Sequence, residues 1–339
     1  MKKSRITTEI GRRNYRVVEF ERRRLHIKPL AARRHGLHLN AIIPLGGVSA
    51  YHPKIHAVAE QILKAKKRGA AVILMMGGHV IRSGVQNYII DLMEHGLISC
   101  IAMNGSGVIH DYEFALIGAT TENVACYVKE GQFGLWEETG RINDIINQAH
   151  KNNLGLGQAV GKAIWEGSFP HKNISLLAAG FRLQIPITVH VSIGYDIIHE
   201  HPNCDGAATG AASYRDFLRF AKIVESLEEG VVMNFGSAVM APEVFLKALS
   251  MARNVAHQNG KAIQHFTTLV CDLHKLSDDY SKEADKESPE YFFRPWKTFL
   301  VRTVADGGQS FYVQAMHSYT IPVLWSALQD LEASKRSGG

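Results

Sequence analysis

Histidines, glycines and hydroxyl residues gather in this sequence where apolar runs end. The run at 71–76 is followed by Gly77, Gly78, His79, Ser83 and Gly84. The run at 97–103 is followed by Asn104, Gly105, Ser106 and Gly107, with His110 three residues on. The run at 231–235 leads into Gly236 and Ser237, and the run at 310–316 leads into His317. Small residues at such points let backbone N–H groups approach a phosphate, and the start of a following helix adds roughly half a positive charge. His79, His110 and His317 are candidate acid–base groups, because an imidazole titrates near neutral pH. Asp196, after Gly194, could hold a ribose hydroxyl or an amine. Each has a plainer alternative: a hydrogen-bonded structural histidine, or a helix-capping aspartate.

A second cluster, His190, His199, His201, Cys204 and Asp205, has enough donors for a divalent metal. However, His199 and His201 alternate and do not share a helical face at four-residue spacing, so no metal is expected. Metal-dependent hydrolysis through His190, His199 and Asp205 is the lesser alternative.

These residues need elements to hold them. Pro53 opens a helix whose stripe of Ile55, Val58, Ile62 and Leu63 ends in Lys66, Lys67 and Arg68 before Gly69, as helix termini favour. The unbroken apolar run 71–76 predicts a strand buried on both faces. With the helix after it and the run at 97–103 it forms a βαβ unit. Further strands are predicted at 39–45, near 185–191, at 231–235, at 262–269 and at 310–316, and helices at 242–259 and 322–331. Thr267 and Thr268, near the expected end of their strand, join the candidate cofactor-binding residues. Asp306, Gly307 and Gly308 read as a hairpin turn, and 277–289 as a polar loop. Ligands of an open parallel sheet sit at the carboxyl ends of its strands. The fold class is therefore α/β, a doubly wound and mostly parallel, Rossmann-like sheet. No G-x-G-x-x-G fingerprint follows the first strand, and no phosphate loop of the G-x-x-x-x-G-K-S/T type occurs.

The 339 residues, 46% of them hydrophobic, suffice for one large core. Up to Gly36 there are twelve Lys and Arg against three Glu, whereas the whole chain carries +6. This marks residues 1–36 as a basic N-terminal arm and 37–339 as a single domain. The arm lacks aromatic interleaving, so nucleic acid is not an expected partner. No apolar stretch reaches membrane-spanning length without a charge, Arg182 interrupting the longest, and the N-terminus lacks the apolar core of a secretory signal. Cytoplasm is the expected compartment. The four cysteines are far apart and read as reduced.

The stretch from Gly77 to Val85 resembles the Ser-Asn-Leu-Ile-Ser-Ser-Gly-Ile segment of the deoxyhypusine synthase family. Asn104 to Val108 with His110 and Asp111 resembles its Thr-Ala-Gly-Gly-Val-Glu-Glu-Asp. Ser192, Ile193, Gly194 and Asp196 are similar to its Ser-Leu-Gly-Asp, and residues 235–239 to its Leu-Gly-Gly-Gly-Val. The resemblance implies a doubly wound NAD-binding fold, a homotetramer with sites at subunit interfaces, and NAD as cofactor. It implies cofactor contacts from Gly78, His79, Ser83, Asn104, Gly105, Ser106, Gly107, Asp196, Gly236 and Ser237.

In that family NAD takes a hydride from spermidine, and the aminobutyl group passes to an active-site lysine and then to a lysine of the hypusine-bearing translation factor. The lysine lies there in a Trp-Gly-Lys motif. Here Trp296 and Lys297 are adjacent without the glycine, and Ala241, Pro242 and Glu243 stand where the family has Lys-His-His. His79 replaces an Asn and His110 a Glu. The expected function is an NAD-dependent enzyme acting on a small amine or alcohol by transient oxidation followed by group transfer or elimination. Lys297, His79, His110 and His317 are its candidate catalytic residues. A non-catalytic, regulatory nucleotide-binding protein is the alternative.

Overall fold

The computed structural model describes residues 19–277 and 279–337. Half of the expected arm, residues 1–18, lies outside the described residues. The strands in chain order are β1 (Leu37–His38), β2 (Val72–Met76), β3 (Cys100–Asn104), β4 (Ala119–Thr120), β5 (Ile187–His190), β6 (Val231–Phe235), β7 (Thr267–Asp272) and β8 (Gln309–Gln314). The helices are α1 (Pro53–Arg68), α2 (Gly78–Arg82), α3 (Gln86–Glu94), α4 (Gly105–Ile117), α5 (Val124–Lys129), α6 (Glu137–Lys151), α7 (Leu156–Glu166), α8 (Leu176–Leu183), α9 (Gly206–Val224), α10 (Met240–Gln258) and α11 (His317–Ser337).

Six strands form one sheet in the order β5-β3-β2-β6-β7-β8, and every adjacent pair is parallel. Numbered within the sheet this is 3-2-1-4-5-6, the doubly wound order whose switch point lies between the first and fourth strands. The expected fold class is thus the observed one, and its switch point falls between β2 and β6. Alternate residues of β2 serve two cores. Val72, Leu74 and Met76 pack among α1, α3, α4 and α11, whereas Ile73 and Met75 pack against α9 and α10. All five side chains are buried, each stabilising the fold by about 2 kcal/mol.

Several element assignments are corrected. Residues 39–45 form no strand: a 3₁₀ turn, Leu39–Ala41, leads into a loop that meets the α2–α3 turn through Ile43 N–H donating to Gly84 O. The strand in that region is β1, which pairs antiparallel with β4 in a separate two-stranded ribbon. Asp306, Gly307 and Gly308 do not make a hairpin, since β7 and β8 are parallel and are joined through a π-helical segment, Trp296–Arg302. The seventh strand begins at Thr267 and ends at Asp272, later than its apolar run suggested. The last helix begins at His317 and carries Pro322 inside it.

Candidate functional site

Two of the expected site segments meet at the switch point. Gly77 N–H donates to Phe235 O, and a β-carbon added to Gly77 would lie 3.0 Å from Gly236 O, so the exits of β2 and β6 touch through their backbones. Gly236 is left-handed (φ +62°), and a β-carbon there would fall 2.4 Å from His317 Nε2. His317 therefore lies against Gly236, with its buried Nδ1 lacking a hydrogen-bond partner among the described residues. Burial lowers its pKa, with Asp272 opposing and His79 adding to the shift. His79, exposed at the start of α2, is lowered by burial and by Arg82, whose guanidinium lies 3.2 Å from His79 Nε2.

The exit of β3 lies beside this pair. Asn104 caps α4 by accepting from Gly107 N–H and from the Ser106 hydroxyl. Gly78 packs on Ser106 and His110, since a β-carbon there would lie 2.5 Å from Ser106 Oγ and 3.2 Å from His110 Cδ2. The Asp196 carboxylate rests on Gly105, leaving only 2.0 Å between Oδ2 and a built β-carbon. Burial pushes Asp196 up to about 6. Arg82, Ser106, His110 and Asp196 line one pocket of about 280 Å³, together with Arg33, Glu113, Glu122 and Tyr195.

A buried chain of hydrogen bonds fixes His110. Arg33 donates to both Glu113 oxygens, at 2.9 and 2.6 Å, and Thr139 donates to Oε1 at 2.6 Å. The Thr120 hydroxyl donates to Oε2 at 2.7 Å and lies 2.8 Å from His110 Nδ1. A carboxylate held by an arginine fork only accepts, so Thr120 spends its proton on Glu113 and accepts from Nδ1–H. His110 is assigned on that ground as the Nδ1–H tautomer, with the Nε2 lone pair free for the pocket. Burial holds its pKa down at about 4, with Glu113 opposing, which leaves the imidazole neutral at pH 7.

The histidines come together and Lys297 stands apart from them. Electrostatic coupling links His79 to both His110 and His317. Lys297 is buried in the π-helical segment, its ammonium 3.6 Å from the centre of the Tyr291 ring, and its couplings run to Glu243 and Glu283. Thr267 and Thr268 are corrected as exit residues. They begin β7, at the edge opposite the exits, and Thr268 Oγ1 donates to Phe299 O. The Ser83 hydroxyl donates to His79 O, and Gly107 is packed on Met103, so both serve local structure. The second histidine cluster is dispersed: His190 meets Thr188, His199 Nδ1 accepts from Gly194 and Asp196 N–H, His201 meets Gly134 O, and Asp205 caps α9. Among the described residues no three metal-ligating side chains gather.

A dinucleotide needs donors for its phosphates. Among the described residues, the N–H groups of Gly78 and His79 after β2, and of Ala238 and Val239 after β6, meet no acceptor. These four N–H groups, at the two exits that touch through Gly77 and Gly236, fit a pyrophosphate at the switch point. At the start of α4 the Asp196 carboxylate fills the space beside Gly105.

Sequence reasoning missed Arg33, Arg82, Glu113, Thr120 and Glu122. Only Glu113 carried a local signal, three residues after His110 and so on the same helical face. The described part of the arm is joined to the body: Arg33 is buried, Leu30 N–H donates to Glu138, Arg34 N–H donates to the Tyr127 hydroxyl, and Lys28 bridges to Trp136.

No protein-family model matches the chain. It is 23% identical over 216 residues to the deoxyhypusine synthase-like protein of Chlorobaculum parvum, spanning 57% of this chain and 61% of that protein. It is 21% identical over 221 residues to the deoxyhypusine synthase-like protein of Elusimicrobium minutum, spanning 57% and 56%. The chain thus spans about three fifths of the curated relatives it matches. The resemblance carried by the exit motifs is borne out by these relatives. Among solved structures, an LOR/SDH protein from Methanococcus maripaludis S2 aligns with a TM-score of 0.51 at 14% identity, over 85% of this chain and 70% of that one. Unliganded AgrE aligns with a TM-score of 0.51 at 15% identity, over 84% and 34%. Both likenesses are of fold.

Proposed function

We propose that the chain is a deoxyhypusine synthase-like, NAD-dependent enzyme that oxidises a small amine or alcohol transiently and completes a transfer or elimination. His110 is its general base. The observation that carries this reading is the neutral His110 imidazole, whose Nδ1–H is committed to Thr120 while the ring lines the pocket that Arg82 and Asp196 share. The relatives' name supports the family-level part.

Gly78, His79, Ala238 and Val239 would hold the pyrophosphate through their N–H groups. When bound there, NAD supplies a hydride acceptor. His110 Nε2 takes a proton from the substrate nitrogen or hydroxyl, and Thr120 and Glu113 stabilise the imidazolium that results. Asp196, pushed up by burial and lining the same pocket, orients the substrate. His317 lies against Gly236 and excludes water from the seam between the two exits. The homotetramer implied by the family resemblance belongs to this reading, and sedimentation equilibrium checks it.

Titration calorimetry with NAD, followed by NADH fluorescence with a panel of amines and alcohols, tests the proposal. Micromolar NAD binding and turnover lost in His110→Gln are the expected results. Absence of dinucleotide binding would sink it. NAD binding with no turnover on any amine or alcohol would favour the regulatory nucleotide-binding alternative.

A further inference from the structure

Three charged groups of the pocket, Arg82, Asp196 and Glu122, have no ion-pair partner among the described residues. Arg82 meets only His79 Nε2, at 3.2 Å, and pairs with no carboxylate among the described residues. The Asp196 carboxylate takes the His199 backbone N–H as a helix cap and pairs with no cation among them. Neighbouring charges are already occupied. Arg33 and Glu113 neutralise one another, and Glu122 accepts from Gly134 N–H and from the Trp136 indole N–H. Arg82 and Asp196 nevertheless line the same small cavity, with His110 on its wall as well.

Asp196 is half-buried, so its uncompensated charge carries a desolvation cost that a cationic group of a ligand would recover, while the exposed Arg82 offers a guanidinium with no carboxylate partner to an anion. A diamine would satisfy Asp196 and set a second cation against Arg82. A simple carboxylate would satisfy Arg82 and set an anion against Asp196. Resting on the enzyme reading above, we propose that the pocket binds a small zwitterion, an amino acid whose carboxylate meets the Arg82 guanidinium and whose ammonium meets Asp196. The guanidinium fork suits a carboxylate through two parallel hydrogen bonds. His110 Nε2, a lone acceptor in the same cavity, is then available to the nitrogen or to the carbon that bears it.

Four probes of equal carbon number separate the options: 4-aminobutyrate, 2-aminobutyrate, 1,4-diaminobutane and butyrate, titrated calorimetrically into the full chain with and without saturating NAD. The expected result is binding of at least one aminobutyrate and of neither the diamine nor butyrate, and the preferred isomer reports the spacing of the two charges. Arg82→Gln and Asp196→Asn should each weaken that binding by about tenfold or more, with Arg82→Lys recovering part of the loss. Arg82 is exposed, so its variants should keep the wild-type melting temperature. Diamine binding indifferent to Arg82→Gln would overturn the zwitterion assignment and leave the amine enzyme standing. Butyrate binding indifferent to Asp196→Asn would overturn it too. If no probe binds, the assignment fails, and the separate NAD titration decides whether the enzyme reading fails with it.

Discussion

His317 lies where a side chain on Gly236 would have to go, the built β-carbon being only 2.4 Å from Nε2. The two residues belong to different elements, the exit of β6 and the first turn of α11, so the left-handed glycine at φ +62° and the packed imidazole require each other. Gly236→Ala is expected to cost about 2 kcal/mol, from the strained backbone and the displaced ring together. Thermal unfolding measures the loss, and NAD affinity should fall in parallel; an unchanged affinity would remove His317 from the cofactor seam.

The buried relay predicts a spectroscopic signature independent of substrate. In long-range proton–nitrogen spectra, His110 should appear as the Nδ1–H tautomer, because the Thr120 hydroxyl accepts from that nitrogen. Thr120→Ser should keep the signature, and Thr120→Val should lose it. An Nε2–H signal in the wild type would show that the proton order along the relay is wrong.

Acid should weaken the fold through His110. Its folded pKa of about 4 lies below the ordinary 6.5, so between these values the unfolded chain binds a proton that the native state refuses. The stability contributed by keeping the ring neutral is whole above pH 6.5 and is lost as pH falls toward 4. Because the ring also opens on the pocket, the expected size is on the order of 2 kcal/mol. Urea titrations of wild type and His110→Gln at pH 7 and 4.5 should differ in slope with pH by that amount. Parallel curves would contradict it.

Asp216 predicts the opposite sign. It is fully buried, accepts from Gly157 and Val189 N–H, and is pushed by burial up to about 7. Between pH 3.8 and about 7 the native state holds a proton that the unfolded state releases, so stability falls as pH rises through that window. Asp216→Asn should therefore be more stable than wild type at pH 8, by roughly 2 kcal/mol, and no more stable at pH 4. A variant less stable at both would mean that the charged form is the one the core requires.

Lys297 has a chemical test. With its ammonium over Tyr291 and its couplings on Glu243 and Glu283, it is expected to form no imine. Borohydride added during incubation with NAD and an amine should leave Lys297 unmodified in a peptide mass map. A reduced adduct on Lys297 would restore the lysine-transfer chemistry of the synthase family.

The sheet was legible because β2 and β3 fall in apolar runs closed by small polar residues, as strands buried on both faces require, while β6 carries a buried Asn234 within its run. Residues 39–45 are also largely apolar but cover the α2–α3 turn, and Pro44 within them fits a strap and not a central strand, which periodicity alone does not separate. Thr267 and Thr268 were set at the wrong edge because the apolar stretch runs through the strand and past its start. His79, His110 and His317 announced themselves by following strand exits. Arg33 and Thr120 did not, since their roles come from contacts that sequence spacing does not single out, Glu113 lying eighty residues from Arg33.

The backbone contact between Gly77 and Gly236 limits how this crevice could be re-engineered. Where two exits touch without side chains there is nothing to truncate, so the seam itself resists widening by point mutation. Adjustable volume resides in His79 and His317, and any reshaping of the crevice would have to begin with those two rings and leave the glycines alone.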